Sequence, residues 1–226
     1  TFSRIHLNDF LSSNQVGAPE LPVMVKMIEI PLCEDIQITA TARRVKTYSG
    51  NTLGIQHRLY PVQRSISKSE EGPFPIQINE ATYQTNDFYG LELASIEKTG
   101  IMRSYNLATI YISPVKYNPV TNEFMVYDDI NIEITYNNVD IPSTKEMKQI
   151  HTSCAFGKPA QVINQLPPLS REMFPASPVK YVIVANDIFN GQLDSLVNWK
   201  RRKGFLVEVA YTGTIGTTTT AIKNYL

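Results

Sequence analysis

Ile130-Asn131-Ile132-Glu133-Ile134-Thr135-Tyr136 alternates apolar and polar residues. A period of two sends the isoleucines to one face and Asn131, Glu133 and Thr135 to the other, the pattern of a half-buried antiparallel strand. Asp35-Ile36-Gln37-Ile38-Thr39-Ala40-Thr41 repeats the pattern, whereas Leu107 to Ser113 is almost wholly apolar or β-branched and predicts a more deeply buried strand. Between Tyr117 and Phe124, Asn118-Pro119-Val120-Thr121-Asn122 supplies turn chemistry, so a hairpin is expected there. Arg64-Ser65-Ile66-Ser67-Lys68-Ser69-Glu70-Glu71-Gly72-Pro73 fits no period and is expected to be an exposed loop. No helical pattern stands out before residue 140. Residues 1–140 are therefore predicted to be mainly β, an antiparallel β-sandwich.

The grammar changes after Lys180. Tyr181-Val182-Ile183-Val184-Ala185 is a continuous apolar run, as expected of a parallel strand buried on both faces. From Asn190 to Lys203, Leu193, Leu196, Val197 and Lys200 fall at helical spacing. Arg201, Arg202 and Lys203 sit where the helix dipole favours cations, and Gly204 stops the helix. Phe205 to Tyr211 predicts a second strand, Thr212 to Thr219 a loop, and Thr220 to Leu226 the start of another helix. Strand, helix, strand makes one βαβ unit. Such a unit cannot bury both faces of a parallel sheet by itself, and the sequence stops within a helix, so a longer protein is expected. Between the two halves, residues 141–178 carry Pro142, Pro159, Pro167, Pro168, Pro175 and Pro178 and form a connector, with one short helix expected around Thr144–His151.

Composition bounds the function. Of 226 residues, 42% are hydrophobic and 19% charged, which supports a core and argues against disorder. Lysine plus arginine equals aspartate plus glutamate at 21 each, so no basic surface for nucleic acid is indicated. No apolar run reaches the about 18 residues a membrane helix needs. Thr1-Phe2-Ser3-Arg4 shows no signal-peptide pattern, as would also hold after removal of a leader. Cys33 and Cys154 are either bridged or, as this large chain favours, two thiols. His6, His57 and His151 have no metal-ligand spacing. Lys200 to Lys203 is expected to be the solvated end of a helix, and Trp199 a core residue.

Three stretches resemble the precursors of gingipains, secreted cysteine peptidases of oral Bacteroidales. Val16-Gly17-Ala18-Pro19-Glu20-Leu21-Pro22, and Gly100-Ile101-Met102-Arg103 through Ile112-Ser113-Pro114-Val115-Lys116-Tyr117-Asn118 to Ile130-Asn131-Ile132-Glu133-Ile134, look like the family's prodomain. Tyr181-Val182-Ile183-Val184-Ala185 through Trp199-Lys200-Arg201-Arg202-Lys203-Gly204-Phe205, then Val209-Ala210-Tyr211-Thr212 and Gly216-Thr217-Thr218, looks like the opening of its catalytic domain. The resemblance implies a prodomain over 1–140, a linker or strap over 141–178, and the N-terminal fragment of a caspase-like α/β peptidase domain over 179–226.

It also implies a function. The family's prodomain inhibits its catalytic domain, in cis or in trans, and assists its folding. The full enzyme is an endopeptidase acting on protein substrates through a His/Cys dyad. Residues 179–226 contain neither histidine nor cysteine, so the fragment is expected to be inert. A thiolate needs a neighbouring base or cation, and His151 beside Cys154 reads as a linker pair, not a dyad. No cofactor is implied, and structural calcium in a full catalytic domain stays open.

The family's inhibitory loop carries a basic residue. By spacing, that loop falls at Thr85, Asn86 and Asp87, which departs from the pattern. A pocket built for a cation would leave its carboxylate unpaired against an amide, so the cognate enzyme is expected to prefer another residue, such as asparagine or aspartate. Asn86-Asp87 is also ordinary turn chemistry. Asn164 or Arg171 in the connector marks the processing cut, if processing occurs. The competing readings are a surface adhesion or carbohydrate-binding β-sandwich, which has no use for the βαβ opening, and a peptidase homologue without catalytic chemistry.

Overall fold

The computed structural model describes residues 1–152, 159–164, 166 and 179–226. The chain divides into two compact units, residues 1–144 with 160–167, and residues 145–159 with 168–226.

The first unit is built from two antiparallel sheets. One has strand order β1-β2-β5-β4, with β1 (Leu11–Ser12), β2 (Pro22–Glu29), β4 (Ala94–Met102) and β5 (Tyr105–Ile112). The other has the order β3-β7-β6, with β3 (Cys33–Ser49), β6 (Val115–Asn118) and β7 (Glu123–Val139). The alternation read from the sequence sets the register of the long β3–β7 ribbon. Ile36 lies opposite Tyr136, Ile38 opposite Ile134, and Ala40 opposite Ile132. A slip of one residue would turn this whole face to solvent. The side chains of Ile36, Ile38, Ile132, Ile134 and Tyr136 pack on Ile28, Ala108 and Ile110 of the first sheet and on Ile30 just after β2, so the two sheets share one apolar layer. Leu107 to Ile110 is the buried stretch of β5, as its unbroken apolar run requires.

A second core of Leu21, Leu59, Val115, Tyr117 and Phe124 lies beneath the β6–β7 hairpin. Tyr117 and Phe124 stack with ring centroids 4.7 Å apart, an arrangement that contributes about 0.5–1.5 kcal/mol beyond burial. Asn118 closes the hairpin by accepting the amides of Val120 and Thr121, and Asn122 takes φ 54. Residues 65–76 form no regular element and are exposed. A bidentate Arg64–Glu70 pair spans this loop, and the Gln63 amide holds the backbone of Gln77 at its base.

Contrary to the sequence reading, one helix precedes residue 140: α1 (Glu80–Gln84). At five residues it is too short to be stable alone. The Asn79 side chain caps Thr82 N–H at 3.3 Å, and burial of Tyr83 fixes the helix to the unit. α2 (Ile141–His151) starts three residues before the expected helix, because Asp140 accepts the Ser143 amide at its N-terminus. Cys33 is a free, half-buried thiol, and Cys154 lies outside the described residues.

Five tyrosines of this unit, Tyr83, Tyr89, Tyr105, Tyr117 and Tyr136, have phenol pKa values raised chiefly by burial. A pKa raised in the folded state contributes stability that is complete below the unfolded value of about 10 and is lost as pH rises through the folded values. The melting temperature of the β unit is therefore expected to hold from pH 7 to 9 and to fall above about pH 10. Thermal melts followed by circular dichroism check this, and a flat profile up to pH 12 would contradict it.

The second unit contains β8 (Lys180–Ala185), a 3-10 turn at Asp187–Phe189, α3 (Asp194–Arg202), β9 (Leu206–Tyr211), α4 (Thr212–Ile215) and α5 (Thr219–Tyr225). β8 and β9 pair in parallel, with Tyr181 opposite Val207 and Ile183 opposite Val209. The expected loop after β9 contains the single turn α4, and α3 starts four residues later than expected because Gly191 takes φ 75 ahead of it. β8 is half-buried, not buried on both faces: among the described residues it pairs with one strand only. Trp199 is not a core residue. It is 49% exposed, and the ammonium groups of Lys200 and Lys203 stand 4.7 and 4.4 Å from its ring. No described helix is long and apolar enough to cross a membrane.

Candidate functional site

The turn after α1 is exposed at Thr85, Asn86 and Asp87, and each side chain there makes a hydrogen bond. Thr85 Oγ1 donates to Ala81 O at 2.8 Å, and Asp87 Oδ1 accepts the Phe88 amide at 2.7 Å. Asn86 Oδ1 accepts from Asn118 Nδ2 at 2.9 Å. The Oδ1 of the same Asn118 side chain organises the β6–β7 hairpin, so hairpin and turn are coupled through one side chain.

The base of this turn is rigid. Tyr83 is 1% exposed, and its hydroxyl donates to Leu59 O at 2.6 Å. Tyr89 N–H donates to Tyr117 O and Tyr117 N–H to Tyr89 O, at 2.9 and 2.8 Å, which ties the far side of the turn to β6. Gly90 lies against Lys116, where a Cβ would stand 2.6 Å from the lysine side chain. The turn is thus an exposed segment whose two ends are both bonded to the core.

Gly17 anchors the start of the same segment. It takes φ 83, its carbonyl accepts the Asn79 amide at 2.8 Å, and its own amide donates to Val62 O at 2.7 Å. Gly17 therefore joins the Val16 to Pro22 stretch to the backbone of both Val62 and Asn79. Ala18 O accepts the Val62 amide, and Glu20 N–H donates to Tyr60 O. Sequence reasoning picked out this stretch without assigning its role; it gave Tyr83 no role and placed Asn118 in the hairpin turn without its bond to Asn86. The spacing of the sequence carries no signal for either, because their partners Leu59 and Asn86 lie 24 and 32 residues away.

Of the two processing candidates, Arg171 lies outside the described residues. Asn164 is half-buried and bonded on both amide atoms to the backbone of Glu29. In the second unit, Asp187 Oδ2 accepts the Gly213 amide at 2.6 Å, linking the carboxyl ends of β8 and β9. A Cβ on Gly213 would stand 2.6 Å from that carboxylate, so any larger residue there would displace the Asp187 side chain. Glu208 pairs with Lys180 at 2.5 Å and accepts a short bond from the Tyr225 hydroxyl. The pair lowers the Glu208 pKa and raises that of Lys180. Among the described residues, no group of three or more His, Cys, Asp or Glu could hold a metal ion.

The Propeptide_C25 family matches residues 1–156, and Peptidase family C25 matches residues 174–226. The chain belongs to the gingipain precursor family. It comprises the propeptide and the start of the peptidase domain, the N-terminal part of a zymogen. Lys-gingipain of Porphyromonas gingivalis is 30% identical over 230 residues, covering 100% of this chain and 13% of that protein. Gingipain R1 of the same species is 18% identical over 208 residues, covering 92% of this chain and 20% of that protein. The chain thus spans a small fraction of the length of the curated relatives it matches. A solved structure described as giving insight into the zymogenic latency of gingipain K from Porphyromonas gingivalis matches with a TM-score of 0.53. It is 32% identical and covers 58% of this chain and 72% of that one.

Proposed function

We propose that the β unit, taken as residues 1–140 with the 141–178 connector, inhibits and helps to fold the peptidase domain that begins near residue 179. The whole protein is then a secreted or cell-surface cysteine endopeptidase acting on protein substrates, and this stretch of it is inert. The observation that carries the reading is the turn at Thr85–Asp87, exposed yet bonded at both ends to a buried frame through Tyr83 and Tyr89. A segment held rigid before docking loses little conformational entropy on binding, which is what an inhibitory loop needs.

Asn86 and Asp87 supply an amide and a carboxylate where a basic residue would serve a cation-selective pocket. The cognate peptidase is therefore proposed to accept asparagine or aspartate. The test adds this chain in trans to the peptidase domain of its own precursor. Inhibition is expected, and the double substitution Asn86→Ala with Asp87→Ala is expected to weaken it by about tenfold or more, equivalent to about 1.4 kcal/mol. An uninhibited peptidase would sink the inhibitory role, and a peptidase that cuts only after arginine or lysine would sink the specificity.

A further inference from the structure

The edge of β2 that faces away from β5 carries a second feature. Its first residues pair with β1, where Ser12 lies opposite Pro22. Its last residues pair with the connector. Met27 and Val162 form a parallel bridge, and Ile163 N–H donates to Met27 O at 3.0 Å. Asn164 continues this contact with its side chain. Its Oδ1 accepts the Glu29 amide at 2.6 Å, and its Nδ2 donates to Glu29 O at 2.9 Å. The amide side chain thus serves Glu29 as a neighbouring strand's backbone would. Glu29 is 1% exposed, and its carboxylate accepts the Leu166 amide at 3.0 Å. Val162 is buried beside it.

We infer that β2, through Met27 and Glu29, is a docking site for the connector residues Val162, Ile163, Asn164 and Leu166, and that docking shields these residues from proteolysis. A protease needs its substrate extended and free on both sides, so cleavage of a docked stretch waits for local opening. Asn164 is then a clasp residue and not a scissile one, and a maturation cut falls outside the docked residues. Only this last clause rests on the precursor reading above, and the clasp stands or falls without it.

Residue-resolved amide exchange on the 226-residue chain tests the clasp. In Asn164→Ala the Glu29 amide loses its acceptor, and its exchange is expected to quicken by about tenfold or more, with Ile163 following. The Ile30 amide donates to Asn106 O on the β5 side and is expected to keep its wild-type rate, which separates local release from general unfolding. Unchanged exchange at Glu29 and Ile163 would overturn the inference. Limited digestion with a broad-specificity protease, read by mass, tests the shielding. Wild-type cuts in the connector are expected only outside the docked residues, with cuts among them in Asn164→Ala. A prompt wild-type cut among them would equally overturn the inference. These outcomes do not depend on inhibition, so failure of the clasp and failure of the inhibitory reading are distinguishable.

Discussion

Tyr83→Ala is expected to lower the stability of the β unit by about 3–5 kcal/mol, the cost of truncating a large, fully buried aromatic side chain. Tyr83 is 1% exposed, and its hydroxyl donates to Leu59 O, so the substitution leaves both a cavity and an unpaired buried carbonyl. Tyr83→Phe removes only the hydroxyl and is expected to cost about 1–2 kcal/mol. Denaturant unfolding measures both values. A Tyr83→Ala cost under about 1 kcal/mol would mean that the side chain is not the buried anchor described here. The functional consequence is larger than the stability change suggests. α1 has five residues and cannot persist without its anchor, so the turn at Thr85–Asp87 loses one of its two fixed ends. Inhibition by Tyr83→Ala is expected to weaken even at temperatures where the β unit remains folded.

What the sequence made legible follows from the range of each interaction. The β3–β7 ribbon was readable because its alternation is local: each isoleucine of Ile130 to Tyr136 declares its face through its immediate neighbours. The βαβ order after Lys180 was readable for the same reason, as was the hairpin at Asn118–Asn122. α1 was not, since one turn of helix has no period to detect, and what holds it is a tyrosine bonded to a carbonyl 24 residues away. Trp199 was misplaced by a composition rule. Tryptophan is usually well buried, but here the aliphatic stems of two lysines bring cations over its ring, so it can stand half-exposed at the helix end. For the candidate site, order and spacing could locate Thr85, Asn86 and Asp87 only through family likeness. The bond of Asn86 to Asn118 and the docking of Asn164 on Glu29 span 32 and 135 residues, beyond any local pattern.

Gly17→Ala is the substitution expected to couple most strongly to the turn from a distance in sequence. Gly17 takes φ 83, where an L-residue pays about 1–2 kcal/mol. An added Cβ would also stand 2.9 Å from the backbone nitrogen of Asn79, which cannot move without lengthening its bond to Gly17 O. Crowding of that kind adds about 1–3 kcal/mol, for a total of about 2–5 kcal/mol. Gly54 supplies the control: it takes φ 73, but a Cβ there meets nothing within 4 Å. Gly54→Ala is expected to show the conformational cost alone, so the difference between the two variants isolates the contact with Asn79. Asn79 caps α1, so displacing it loosens the helix, Tyr83 and the turn in succession. If the turn inhibits, Gly17→Ala weakens inhibition and Gly54→Ala does not. Equal stability losses in the two variants would show that Gly17 is retained for its backbone angle alone, and that the Val16 to Pro22 stretch does not position the turn.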